Sequence, residues 1–131
     1  MSTSGFRNFD NDDAADFLAD FADDPSEVLL LEALITAAEE EKHLEAEAAG
    51  AALAAAEIVA AWLGDPAPDF PADVLDLTEE LDVSDEEALT DLATRAVQAV
   101  LRNSELLDLW QASDELTQWQ ATQENLLARL A

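Results

Sequence analysis

The sequence predicts an all-α fold: a compact single-domain bundle of five to seven helices around a central alanine-rich helix at about residues 45–63. Three observations support this. Apolar residues recur at i, i+3, i+4 and i+7 in one segment after another. Alternation at period two never persists, and β-branched residues are scarce. Alanine supplies 27 of the 131 residues, which favours helix and a finely grained core. At this length one domain, 1–131, is expected, and half the residues are apolar, too many for an acidic disordered tail.

The elements follow in order. Residues 1–9 lack periodicity and are expected to be extended or poorly ordered. A first helix runs from Asp12, placed as its N-cap, to about Phe21 or Ala22, with Phe17, Leu18 and Phe21 on one side and Asp13, Asp16 and Asp20 on the other. Asp24-Pro25-Ser26-Glu27 reads as a helix start: an N-cap Asp, Pro at the first helical position and Glu closing a capping box. The second helix extends to about Lys42, with Val28, Leu31, Leu34, Ile35 and Ala38 inward and Glu39, Glu40 and Glu41 in its last turns, where the helix dipole disfavours anions. The third helix, about 45–63, is apolar nearly all round, which marks it as central. Gly64-Asp65-Pro66-Ala67-Pro68 stops it, and 64–71 is a loop.

Ala72 to about Leu81 forms a short helix or turn. Ser84-Asp85-Glu86-Glu87 reads as a second capping box. It opens a helix whose inward stripe is Leu89, Leu92, Ala93, Ala96, Val97, Val100 and Leu101, with Asp91 and Arg95 as an i, i+4 pair. Asn103 ends that helix, and Ser104 caps a short one bearing Leu106, Leu107 and Trp110. Ser113-Asp114-Glu115 opens the last, with Leu116, Trp119, Gln123, Leu126, Leu127 and Leu130 on one face.

Charge excludes several functions. The chain carries 31 acidic and 5 basic residues, for a formal net charge of −26. Phosphate backbones and anionic membranes are repelled, so direct nucleic-acid and membrane binding are not expected. No apolar run reaches the ~18 residues a membrane span needs. The amino terminus does not resemble an export signal, and cysteine is absent, which together favour the cytoplasm. One His, one Lys, no Cys and no Tyr leave little acid–base or nucleophilic chemistry, so no catalytic residue, cofactor or metal is assigned and an enzyme is not expected.

Candidate sites stand beside simpler readings. Asp10-Asn11-Asp12-Asp13 resembles the start of a calcium loop, but Ala15 replaces the required glycine and Phe21 the closing glutamate, so helix capping explains it better. Glu40 and His43 have Glu-x-x-His spacing, yet di-iron bundles need two such motifs. Glu39, His43 and Glu47 could at most line a weak divalent-cation site, and a solvated, protonation-prone histidine among carboxylates is the simpler reading. Glu57 is the only charge between Glu47 and Asp65. On a buried helix it must be paired, hydrogen-bonded or protonated, with Arg95 or Arg102 as the expected partner. Trp62, Trp110 and Trp119 sit at apolar spacing and read as core residues or lids.

Phe9-Asp10-Asn11-Asp12-Asp13-Ala14-Ala15-Asp16-Phe17 resembles the opening signature of a bacterial family catalogued as domain of unknown function 4259. Leu44-Glu45-Ala46, the stretch Ala54 to Ala61 and Ser104 to Trp110 agree with it, and Trp119 falls at another aromatic position. The family's usual Gly-x-Trp-Gly opening is reduced here to Gly5-Phe6. The resemblance implies a small bacterial cytoplasmic protein and a shared pattern at Asp10, Asn11, Asp12, Asp16 and Glu57, and it supplies no chemistry.

The expectation is therefore a non-enzymatic acidic interaction protein that binds a basic protein, immunity- or inhibitor-like and possibly a nucleic-acid mimic. Asp10, Asp12, Asp13, Asp16, Asp20, Glu39, Glu40 and Glu41 are its candidate contact residues, and Glu57 is a buried structural carboxylate. One alternative is acidity as adaptation to solvent and salt, with carboxylates spread evenly and no apolar patch framed by them. A second is a weak carboxylate-based cation binder. Composition leaves the oligomeric state, monomer or small homo-oligomer, undetermined, and a dimer would pack like charges together unless its interface were largely apolar.

Overall fold

The computed structural model describes residues 7–10, 12–40 and 42–131. Among these are seven helices: α1 (Asp12–Asp23), α2 (Glu27–Ala38), α3 (Ala46–Trp62), α4 (Ala72–Glu79), α5 (Glu86–Arg102), α6 (Glu105–Gln111) and α7 (Leu116–Leu130). The only extended pairing among the described residues is an isolated parallel bridge between Leu44 and Ser104. The all-α single domain follows.

Each of the other six helices packs on α3. Its sequence permits this because alanines present little bulk on every side, and from Ala49 to Ala61 every residue except Ala51 is buried. Neighbouring helices supply the large side chains. Phe21, Leu30, Leu34, Leu89, Val97 and Leu126 join the alanines of α3 in one continuous core. The inward stripe of α5 is as the periodicity predicts, with Leu101 half-buried at its end. On α7 Trp119, Gln123, Leu126 and Leu130 are buried and Leu116 and Leu127 half-buried. Trp110 stacks on Trp119 at 6.4 Å between ring centroids, and Trp62 donates its indole N–H to the Leu81 carbonyl. The tryptophans are core residues and lids.

Helix α2 differs most from expectation. Its inward residues are Leu30, Leu34 and Ala37, whereas Val28 and Ile35 are 60% and 41% exposed. Leucine, valine and isoleucine occur around most of this helix, so periodicity leaves its rotation undetermined; wedging between α3 and α5 selects it. Its ends also move inward. Ser26, not Asp24, is the N-cap, accepting from the amides of Val28 and Leu29. Glu27 therefore closes no capping box and instead accepts from the backbone and hydroxyl of Ser84. The helix stops at Ala38, so Glu39 is the C-cap and Glu40 lies beyond it.

Ser84 is thereby committed to Glu27, and Asp85 caps α5 through the Ala88 amide. Ser104 caps α6 as expected, accepting from Leu107. Helix α1 already includes Asp12 in its first turn, so that residue is not the N-cap. After α3 the chain reverses at Gly64, whose φ of +99° lies in the left-handed region that glycine tolerates. Residues 64–71 form the expected loop. Arg7–Asp10 form a turn, not an extended strand, and Asn8 is buried; residues 1–6 of that expected segment lie outside the described residues.

Two substitutions check the rotation of α2 by chemical denaturation. Leu30→Ala is expected to cost about 2–5 kcal/mol, while Val28→Ser stays within about 0.5 kcal/mol of the unaltered protein. Ala56→Leu, on the fully covered face of α3, is expected to destabilise by about 1–3 kcal/mol through overpacking.

Candidate functional site

Three arrangements of polar groups stand out, and each grows from the way α3 is enclosed. The first surrounds Glu57, the charge in the middle of that helix, which is 2% exposed. Its counter-charge is Arg129 in the last turn of α7, not Arg95 or Arg102. Arg95 is occupied by Asp91 at 3.5 Å on the surface of α5, and Arg102 is exposed. Arg129 Nη1 donates to Glu57 Oε1 at 2.9 Å and Nη2 to Oε2 at 3.2 Å. The guanidinium is itself held by Asn125 Oδ1 and the Asp65 carbonyl. Asn8 Nδ2 donates to Glu57 Oε2 at 2.7 Å, and Gln123 Nε2 donates to Asn8 Oδ1 at 2.7 Å. This network joins the turn before α1 to α3 and α7. Among the described residues, Gln123 Oε1 is buried without a partner.

The second arrangement ties the α2–α3 connection to the α5–α6 connection. The two ring nitrogens of His43 face Asn103 Oδ1 and, at 2.7 Å, Asp108 Oδ2. Two acceptors require two N–H donors, so the geometry selects the doubly protonated ring. The hydrogen bonds to Asn103 and then Asp108, with the charges of Asp108 and Glu105, hold its pKa above the ordinary 6.5. The neighbours that favour protonation thus come from α6 and its approach, while Glu40 accepts from the Lys42 amide instead. Alongside, the Leu44 amide bonds the Asn103 carbonyl, the Glu105 amide bonds the Leu44 carbonyl, and Glu105 Oε1 accepts from the Ala46 amide at the start of α3.

The third is an acidic groove. Helices α1 and α2 both lie on α3 while packing little on each other. The alanines of α3 keep the floor between them low. Phe17, Leu29, Ala33, Ala48 and Ala51 line a depression of about 290 Å³, with Glu32 and Glu47 at its edges and no Lys or Arg among the lining residues. Neither carboxylate is in an ion pair among the described residues. On α1, Asp13 and Asp20 stand one turn to either side of Phe17. On α2, Val28, Glu32, Ile35 and Glu39 form one outward stripe at i, i+4, i+7 and i+11, all exposed.

None of the expected contact residues is among those that line this groove. Asp16 and Asp20 are exposed on α1 and Asp13 is half-buried there. Asp12 is exposed in the first turn, and exposed Asp10 accepts from the Arg7 amide. Glu39 and Glu40 are exposed at the far end of α2, so they do not join Asp10 and Asp12 in one cluster. Glu41 and Asn11 lie outside the described residues. Glu32 was missed in the sequence, and Glu47 was considered only beside Glu39 and His43, because an isolated glutamate on a helix carries no signal until the neighbouring helix is placed. Among the described residues no three of His, Asp and Glu stand close enough to hold a metal ion together. No helix among them is long and apolar enough to cross a membrane.

An all-α domain with a charge-neutralised interior and a carboxylate-rimmed groove is the class that this fold and these sites define. The chain belongs to the family described as Domain of unknown function (DUF4259), whose model matches residues 2–122. Neither the curated proteins nor the solved structures contain a match to it.

Removing one partner of the Glu57–Arg129 pair strands the other. Arg129→Met is expected to cost about 3–5 kcal/mol in denaturant unfolding, and Glu57→Leu/Arg129→Met to recover part of that loss. For His43, a folded pKa above 6.5 means that its contribution is complete below that value and disappears as pH rises through the folded pKa. The melting temperature of the unaltered protein should therefore fall relative to that of His43→Gln as pH rises above about 6.5, the difference narrowing with rising pH.

Proposed function

We propose that this protein is a non-enzymatic, cytoplasmic interaction protein that binds a basic protein partner through the groove between α1 and α2. One observation carries the reading: an apolar depression edged by Glu32 and Glu47, with no cation lining it, on a chain of net charge −26. Acidity that served solvation alone would spread carboxylates evenly, without framing an apolar floor.

The chemistry of the groove suits Lys or Arg side chains on a partner's surface. Their aliphatic stems lie against Ala33, Ala48 and Ala51 while the charged ends meet Glu32 and Glu47. Phe17, also in the lining, supplies an aromatic ring for a guanidinium. The exposed stripe of Val28 and Ile35 borders the groove at Glu32 and extends the apolar contact. The charge of the whole chain accelerates encounter with a cationic surface, and that acceleration weakens as salt rises. A partner whose basic cleft handles nucleic acid, held in an immunity- or inhibitor-like complex, is the concrete form. The charge density is adequate for mimicry, since 26 charges correspond to roughly 44 Å of duplex.

Affinity capture from native lysate tests this, comparing the unaltered protein with Glu32→Lys/Glu47→Lys at low and high salt. A basic protein is expected on the unaltered bait at low salt, diminished at high salt and reduced about tenfold or more on the charge-reversed bait. The stability of that variant should change by no more than about 0.5 kcal/mol. Recovery of no basic protein, or equal recovery on both baits, refutes the reading.

A further inference from the structure

The polar side chains of the groove between α1 and α2 are all of one kind. Three of them line it: Glu32 and Thr36, one turn apart on α2, and Glu47 in the first turn of α3. A carboxylate accepts hydrogen bonds and donates none. The Thr36 hydroxyl gives its hydrogen to the Glu32 carbonyl at 2.7 Å, so its oxygen too is left only to accept. No side chain lining the groove therefore has a hydrogen to offer. The rest of the lining, Phe17, Leu29 and three alanines, is apolar.

Such a lining suits a ligand that carries many donors and gives up its hydration readily. The two cationic side chains of proteins differ in both respects. Lys ends in a compact, strongly hydrated ammonium. Arg ends in a planar guanidinium that is more weakly hydrated and spreads five N–H bonds in a rigid fork. Carboxylates arriving from two helices, α2 and α3, match a fork with donors on separate edges better than a point charge. The ring of Phe17 favours the same choice, since guanidinium groups pack on aromatic rings more often than ammonium groups do.

A second copy of this chain is a poor source of that side chain. Two chains of net charge −26 repel each other. Of its own arginines, Arg129 is buried on Glu57 and Arg95 is paired with Asp91. A protein of opposite charge is drawn in by the same field. We propose that the groove is an arginine socket: it takes the side chain of an arginine exposed on the partner protein, with the guanidinium on Glu32 and Glu47 and the aliphatic stem on the alanine floor, and it discriminates against lysine. The assignment rests on the reading of the groove as the contact surface and adds which residue is recognised there.

The test uses two capped tripeptides of equal charge, acetyl-Gly-Arg-Gly-amide and acetyl-Gly-Lys-Gly-amide. Each is titrated at fixed ionic strength into the full chain, labelled with ¹⁵N, while the backbone amide signals of Ala33, Ala48 and Ala51 are followed. Saturable shifts with the arginine peptide, and an affinity for the lysine peptide lower by about fivefold or more, are expected. Glu32→Gln and Glu47→Gln, at exposed positions, keep the shape of the rim. Each should weaken the arginine peptide by about fivefold or more, with the signals of α5 and α7 unmoved. Equal affinity for the two peptides overturns the socket and leaves the groove as a general cationic contact. Undiminished binding to either variant, or no saturable shift with the arginine peptide, also overturns it. Binding of the arginine peptide as expected, beside a lysate that yields no basic protein, refutes the protein partner and upholds the chemistry of the socket.

Discussion

A helix covered on every side can hold a charge only where other elements deliver its compensation, and α3 is buried throughout from Ala52 to Ala61. The Glu57 carboxylate lies among alanines, and it is matched by a guanidinium seventy-two positions further along the chain. That pairing fixes the position of the last turn of α7. Through Asn8 it also fixes the turn that precedes α1. The ion pair does not supply most of the stability, since charges buried in pairs return little net energy over well-packed apolar groups. It supplies specificity: no other rotation of α7 brings Arg129 to Glu57 and Gln123 to Asn8 together.

The helix order and the core stripes of α5 and α7 were legible because their apolar and polar residues separate cleanly around the helix. Burial of Glu57 was legible for the same reason, since a lone carboxylate in an alanine run has few explanations. The identity of its partner was not. Arg95 and Arg102 lie on a helix that packs on α3, yet both point outward, and orientation depends on which face of α5 carries the leucines and valines. The rotation of α2 was hidden by its own composition, because leucine on nearly every side gives no preferred face. The capping residues near Asp24 and Ser84 were displaced by one or two positions for a local reason. Several adjacent residues in each stretch are competent caps, and the contact between Glu27 and Ser84 links the two choices. The groove was illegible because it is a gap: sequence shows which residues exist, and only packing shows where two helices fail to meet.

The acidic exterior and the alanine interior are linked in their consequences. Small residues on α3 bring the surrounding helices close to its axis, but they cannot fill the space where two of those helices diverge. Depressions result between α1 and α2, with an apolar floor, and beside α7, where the polar Glu57 network lines the space. The two depressions differ in kind. The first is edged by glutamates alone, whereas the second has Arg7, Arg129, Glu57 and Asp69 among its lining residues and is formally neutral. A single scaffold thus presents one depression whose charged lining residues are all carboxylates and one whose formal charges balance.

The junction at Leu44 and Ser104 has a further consequence for how the chain comes apart. Its contacts join positions about sixty residues distant: His43 with Asn103 and Asp108, Leu44 with Asn103 and Glu105, and Ala46 with Glu105. Loop-closure entropy for that span is expended once, by whichever contact forms first, after which the rest are nearly local. The set therefore behaves as a zip fastener with a single slider. Fraying of one tooth is quickly repaired, and lasting separation demands that all release together, freeing the start of α3 and the start of α6 in the same event.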